Sequence, residues 1–113
     1  MPVPELSKAI RLTEAQIDAA VTSISPGVYV LDATTSGPWR NDYVGRSDHD
    51  LNARLKSWVG SYGFFRAAYL GSAKQAFEAE CEFFHALAPP DNKVHPARPA
   101  NSNWVCPRCY IFG

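Results

Sequence analysis

The chain is as informative in what it lacks as in what it holds. It has no net charge, because eleven lysines and arginines balance eleven aspartates and glutamates over 113 residues. Global electrostatics therefore do not announce a nucleic-acid binder, a class marked by a strongly basic face. No run approaches the ~18 consecutive apolar residues of a membrane span. Residues 1–12 lack the apolar core of a secretory signal, so a cytoplasmic location is the expectation. Cysteine is scarce and odd in number, three in all, which argues against a disulfide framework. Internal repeats and low-complexity runs are absent. What remains is an ordinary globular composition and enough length for one domain with a single modest core.

The periodicity supplies the elements. Thr13-Glu14-Ala15-Gln16 is a capping box, a threonine with glutamine three residues on. Ile17, Ala20, Val21 and Ile24 follow at helical spacing, so a helix is expected over residues 14–23, broken by Ser25-Pro26-Gly27. Gly27-Val28-Tyr29-Val30-Leu31 is apolar on both faces and reads as a central strand. A loop over residues 34–41 leads to a second strand at Tyr43-Val44, most simply an antiparallel partner of the first. Gly45 reads as a turn, Ser47 or Asp48 as a helix cap, and residues 48–59 as a helix. Leu51, Leu55 and Trp58 or Val59 form its buried stripe and leave Arg54 beside the core. A third strand is expected over residues 64–70 and a third helix over residues 72–87, stopped by Pro89-Pro90.

From Asp91 onward the chain is rich in proline and asparagine, and such a tail needs something to order it. The expected fold is thus a small α/β (α+β) sandwich, with a three-stranded, mainly antiparallel sheet flanked by helices. It comprises a helical segment (1–25), a core (26–92) and an irregular tail packed on it (93–113), all in one domain.

The unusual polar groups fall in a definite order. Tyr29 lies on the first strand and Tyr43 on the second. Arg46 and Arg54 follow, and Glu80 interrupts the apolar face of the last helix, where a carboxylate is costly unless paired or metal-bound. Asn92 comes twelve residues later. This arrangement resembles the GIY-YIG nuclease family. Gly27-Val28-Tyr29 stands for the first half of the signature and Tyr43-Val44-Gly45 for the second. Arg54 lies nine residues after Gly45, and Glu80 precedes Phe84, Pro89 and Asn92 at fitting spacing, which selects it over Glu78 and Glu82. The thirteen residues between Tyr29 and Tyr43 exceed the usual gap, an insertion that costs a hairpin loop little.

The resemblance, over residues 26–92, implies a metal-dependent endonuclease acting on DNA, with RNA open as a substrate. It implies Tyr43 as general base for water, with Tyr29 bonded to it or to the water. Arg54 would stabilise phosphate charge and Asn92 would support the site. Glu80 can hold a hard divalent ion, Mg²⁺ or Mn²⁺, with waters completing its shell. Arginines clamp phosphate oxygens and keep their charge. Tyrosine, with an unperturbed pKa near ~10, needs nearby cations such as Arg46 and the metal before it acts as a base. Arg40, Arg46, Lys56, Arg66 and Lys74 form a candidate nucleic-acid-binding set. Trp39, Tyr62, Phe64 and Phe65 are candidates to stack on unpaired bases, or are core and rim aromatics. No separate recognition domain is visible, so a homodimer or a recruiting protein is a candidate source of specificity.

The cysteines point to a second site. Cys106 and Cys109 have the knuckle spacing that zinc favours, and Cys81 and His85 share a helix face. His95 is a fifth candidate; any four could make a closed, structural zinc site that fastens the tail. A redox role for the Cys-x-x-Cys pair is disfavoured, because no strand-to-helix setting follows it. Two readings compete with the nuclease: a non-cleaving nucleic-acid- or protein-binding module on the same fold, and a zinc-stabilised interaction domain.

Overall fold

The computed structural model of the chain describes residues 4–33 and 40–108. Its organising element is β2 (Gly27–Asp32), in which every residue is buried. The strand is apolar on both faces because both are covered. β3 (Tyr43–Ser47) pairs with it antiparallel on one side and β4 (Phe64–Tyr69) on the other. A two-residue strand, β1 (Ile10–Arg11), adds to the far side of β4 and gives the order β1-β4-β2-β3. The sheet therefore has four strands, one more than the periodicity predicts. Two residues are too few to show alternation, and this strand is set by tertiary bonds: Ser7 N–H donates to the Ala67 carbonyl at 2.9 Å, and Ala67 N–H to Ser7 Oγ at 3.1 Å.

Alternation along the strands divides the core. Tyr29, Leu31, Phe65 and Ala67 face α1 (Glu14–Ala20) and α2 (Leu51–Lys56), where Ile17, Val21, Leu51 and Leu55 complete one buried cluster. Val28, Val30 and Val44 face α3 (Ala73–Leu87) and meet Ala79 and Phe83. A fully buried aliphatic side chain contributes ~1.5–3 kcal/mol, so these two clusters carry most of the favourable free energy.

Several boundaries differ from the sequence pattern, each for a local reason. α1 stops at Ala20 because the Tyr69 hydroxyl accepts from Thr22 N–H and Ser23 N–H, at 2.9 and 3.1 Å. Those are the donors a longer helix would have used, and Ile24 is left 86% exposed. Gly45 is no turn; it lies inside β3, opposite Tyr29. Ser47 still belongs to that strand, and Asp50 is the N-cap of α2, accepting from Ala53 N–H at 3.2 Å. Ser47 Oγ instead takes Asp50 N–H at 3.0 Å. α2 tightens after Lys56, where Ser57, Trp58 and Val59 each bond three residues back, and Gly60 turns the chain at φ +95°.

The long β2–β3 connection rests on two buried aspartates that the pattern did not single out. Asp32 Oδ1 accepts from Arg40 N–H and Asn41 N–H, each at 2.7 Å, and Asp42 Oδ2 accepts from Ala33 N–H at 2.8 Å. Trp39 lies outside the described residues. No described helix is long and apolar enough to cross a membrane.

Candidate active-site pocket and metal-ligand cluster

A pocket of about 550 Å³ lies along β3, the strand at the end of the sheet. Antiparallel pairing decides what reaches it. Tyr29 pairs with Gly45, and Val28 with Arg46. Tyr43 and Tyr29 therefore come from the α1/α2 face, while Arg46 comes from the α3 face and meets Glu80. The pocket gathers Tyr29, Tyr43, Arg46, Arg54, Glu80 and Asn92.

Gly45 explains how a central-strand tyrosine lines a pocket at the sheet edge. A Cβ there would stand 2.5 Å from Tyr29 Oη and from Cζ, so only glycine lets the ring cross β3. Tyr29 is otherwise fully buried, and Trp58 Nε1 donates to its hydroxyl at 2.8 Å. Burial pushes the Tyr29 phenol up to about 12, against the opposing pull of Trp58 and Arg54. Tyr43 is half-buried and packs on Trp58 with ring centroids 4.8 Å apart. Burial first, and then the Glu80 charge, raise its hydroxyl above the ordinary tyrosine value, while Arg54 opposes them. Arg46 does not activate Tyr43 as the sequence suggests, because its guanidinium is committed elsewhere.

That commitment is an ion triad. Arg46 Nη1 donates to Glu80 Oε1 at 2.7 Å, and Arg46 Nε donates to Asp48 Oδ1 at 2.8 Å. The guanidinium also lies 5.2 Å from the centre of the Phe77 ring. Glu80 is 7% exposed, so burial raises its carboxyl in spite of Arg46. Glu78 and Glu82 do not line the pocket. Arg46 thus positions Glu80, whereas exposed Arg54 presents its charge to the pocket.

Asn92 closes the edge of the sheet. Its side-chain oxygen accepts from Val44 N–H at 2.8 Å and its amide donates to Val44 O at 2.9 Å, so one side chain imitates a paired strand. The chain beyond it, residues 93–97, forms a wall of the pocket.

The rest of the candidate nucleic-acid-binding set is dispersed. Arg40 pairs with Asp42, Lys56 with Asp18 at 2.7 Å, and Arg66 with Asp32 at 3.6 Å. None of these, nor Lys74, lines the pocket. Phe65 is core, and Tyr62 packs on Trp58 and donates to Asp91 at 2.8 Å. The sequence reading overlooked His49, Lys93 and Asp48, which do line the pocket, and Trp58, which holds Tyr29. Trp58 carried a signal, since it sits one helical turn after Arg54.

Behind the pocket, the ligand atoms of Cys81, His95 and Cys106 lie within 4.8 Å of one another and could hold a metal ion. Both thiols are buried, packed with Phe77 and Trp104. His95 Nδ1 lies 2.9 Å from the Pro96 carbonyl, which can only accept. That contact places the proton on Nδ1 and the ring lone pair on Nε2, the tautomer a metal takes. His85, expected to share a site with Cys81, is not in this group; its ring packs on His95 at 5.4 Å. Cys109 lies outside the described residues.

Comparison of the chain with protein-family models, with curated proteins and with solved structures found no match.

Proposed function

We propose that the chain is a metal-dependent endonuclease of the GIY-YIG type that hydrolyses phosphodiester bonds in DNA, with a structural zinc at its carboxy-terminal tail. The observation that supports this most is convergence. Tyr29, Tyr43, Arg46, Arg54, Glu80 and Asn92 come from four elements and a connecting segment, yet they line one pocket. Arg54 would take the phosphate oxygens and the charge that builds on them. Tyr29, held by Trp58 across Gly45, would orient Tyr43 or the attacking water. Tyr43 would accept the water's proton at Oη. Its raised pKa makes this step depend on added positive charge beside it, which Arg54 and a cation would bring.

The oxygen donors of Glu80 and Asp48 fit a hard cation such as Mg²⁺ or Mn²⁺, although Arg46 already occupies one oxygen of each. A bound ion there would polarise the phosphate and stabilise the leaving oxygen. For the second site, Cys81, His95 and Cys106 offer the sulfur and nitrogen ligands zinc prefers, with Cys109 as the fourth.

One observation favours a second reading, a non-cleaving nucleic-acid-binding module. The Arg46–Glu80–Asp48 triad satisfies the carboxylate with a guanidinium and without any metal ion.

The deciding experiment is a cleavage and binding assay on labelled single-stranded, duplex and branched DNA and RNA with Mg²⁺ or Mn²⁺. We expect cleavage by the native chain and a loss of about a hundredfold or more in Glu80→Ala and Arg54→Ala, the scale on which charge stabilisation acts. Binding without cleavage by the native chain would select the second reading. Equal cleavage by Glu80→Ala would remove the site assignment.

A further inference from the structure

Given the nuclease reading, we propose that the ion at Cys81, His95 and Cys106 does more than fasten the tail: its occupancy switches the pocket between a walled and an open form. The ligands connect two parts of the molecule. Cys81 is on α3, the residue after Glu80, while His95 belongs to the pocket wall and Cys106 to the end of the strap that follows. Neither cysteine lines the pocket. An ion held by all three therefore acts on the pocket only through His95 and through the helix that carries Glu80.

The wall has no backbone ladder to hold it. Residues 92–97 contain no helix or strand. Asn92 is tied to Val44 at one end. The strap next meets the body at His95, whose ring packs on Phe84 and His85 of α3, each at 5.4 Å, and at buried Pro96. It then meets the body through Trp104, whose ring lies 5.9 Å from Phe77, and through buried Cys106. Between those anchors Lys93, Val94 and Ala97 are exposed, and Val94 is 76% so. A backbone without a ladder opens at lower cost than a paired strand. His95 is the wall residue at the metal-ligand cluster, and its Nδ1–H bond to Pro96 O would carry a fixed ring orientation into the wall.

The chemistry of the cluster selects the ion. The Cys81 and Cys106 thiolates alone already cancel a divalent charge, so a zinc-class cation can be buried among Phe77, Trp104 and the thiols without the penalty of an uncompensated ion. A hard ion such as Mg²⁺ prefers oxygen and would not compete here. Zinc availability would then control the pocket independently of Mg²⁺. At free zinc about a hundred times its dissociation constant, linkage favours the walled form by about a hundredfold.

The test uses the full chain with Mg²⁺ held constant. A zinc-selective chelator and Zn²⁺ add-back are applied to the native chain, Cys106→Ser and Cys106→His. Bound zinc, limited proteolysis of the wall, amide exchange of the sheet and affinity for a fluorescent oligonucleotide are measured together. We expect one zinc per native chain. Chelation or Cys106→Ser should speed proteolytic cleavage within residues 92–97 tenfold or more while β2 and β4 keep their amide protection, and oligonucleotide affinity should fall in parallel. Zn²⁺ should restore the native chain and not Cys106→Ser, and Cys106→His, which keeps a ligand, should keep both properties. The proposal is overturned by absent zinc, by an unchanged wall in the zinc-free chain, or by loss of β2 and β4 protection together with the wall. If the zinc-loaded, walled chain neither binds nor cuts any oligonucleotide, the nuclease reading fails while the link between ion and wall stands.

Discussion

β2 and the strap of residues 92–106 differ in how they are held. β2 is buried along its whole length and bonded on both sides, so packing and two hydrogen-bond ladders fix it many times over. The strap has no ladder and meets the body at separate points: Asn92 on Val44, His95 on Phe84 and His85, Trp104 on Phe77, and the Cys81–His95–Cys106 cluster. The pocket lies between the two. Its tyrosines and Glu80 are set by the well-packed sandwich, and its outer wall by the strap. A site built this way has rigid chemistry and an adjustable enclosure, because local opening draws on the least-packed segment.

Removing part of the sandwich should have the largest effect. Leu31→Ala deletes a fully buried side chain at the centre of the sheet, and we expect a loss of about 2–5 kcal/mol in denaturant unfolding, close to the whole stability of a small domain. Trp104→Ala, by contrast, should leave the denaturation midpoint of the sheet nearly in place and raise amide exchange mainly in the strap. Equal effects on the sheet would erase the distinction.

Alkaline pH separates the two regions by titration. Tyr29 is raised from 10.0 to about 12, so the folded state holds this proton more tightly than the unfolded chain does. Its contribution is fully present below pH 10 and is lost as pH climbs from about 10 through about 12, for a total of about 3 kcal/mol. Measured stability should fall across that window. The fall should be shallower in Tyr29→Phe, which has no phenol to ionise there; an identical slope would mean that other groups account for it.

The smallest effect concerns the seam itself. Asn92→Ala removes both bonds to Val44 and leaves that backbone pair to water or to nothing, at a cost of about 1–3 kcal/mol. The loss should appear as faster exchange at Val44 N–H, with β4 unaffected. An unchanged Val44 amide would mean that the strap is held by its other anchors alone.

The elements legible in the sequence were those governed by local chemistry. The Thr13 cap, the doubly apolar strand expected over residues 27–31 and found over Gly27–Asp32, and the Ser72 start of the last helix depend on neighbours within a few residues. Glu80 was legible for a related reason: a carboxylate in an apolar helix face has to be paired or bound, and it is buried against Arg46.

Other features were settled by contacts between distant residues. β1 exists because Ser7 bonds Ala67 of β4 and Leu12 bonds Gly63 just before it, and α1 is short because Tyr69 captures the Thr22 and Ser23 amides. The pattern took Gly45 for a turn, since a glycine that yields space to a ring on another strand looks the same in one dimension. Arg46 was read as a cation for Tyr43, and only antiparallel register turned it to the opposite face and onto Glu80. The choice of His95 over His85 has the same origin. Helical spacing places His85 beside Cys81, but the fold of the strap brings His95 to the thiols. The sequence by itself thus determined which chemical groups the protein owns and which local elements carry them. Tertiary structure decided which groups meet, because strand register and chain return are set by long-range packing that residue spacing does not encode.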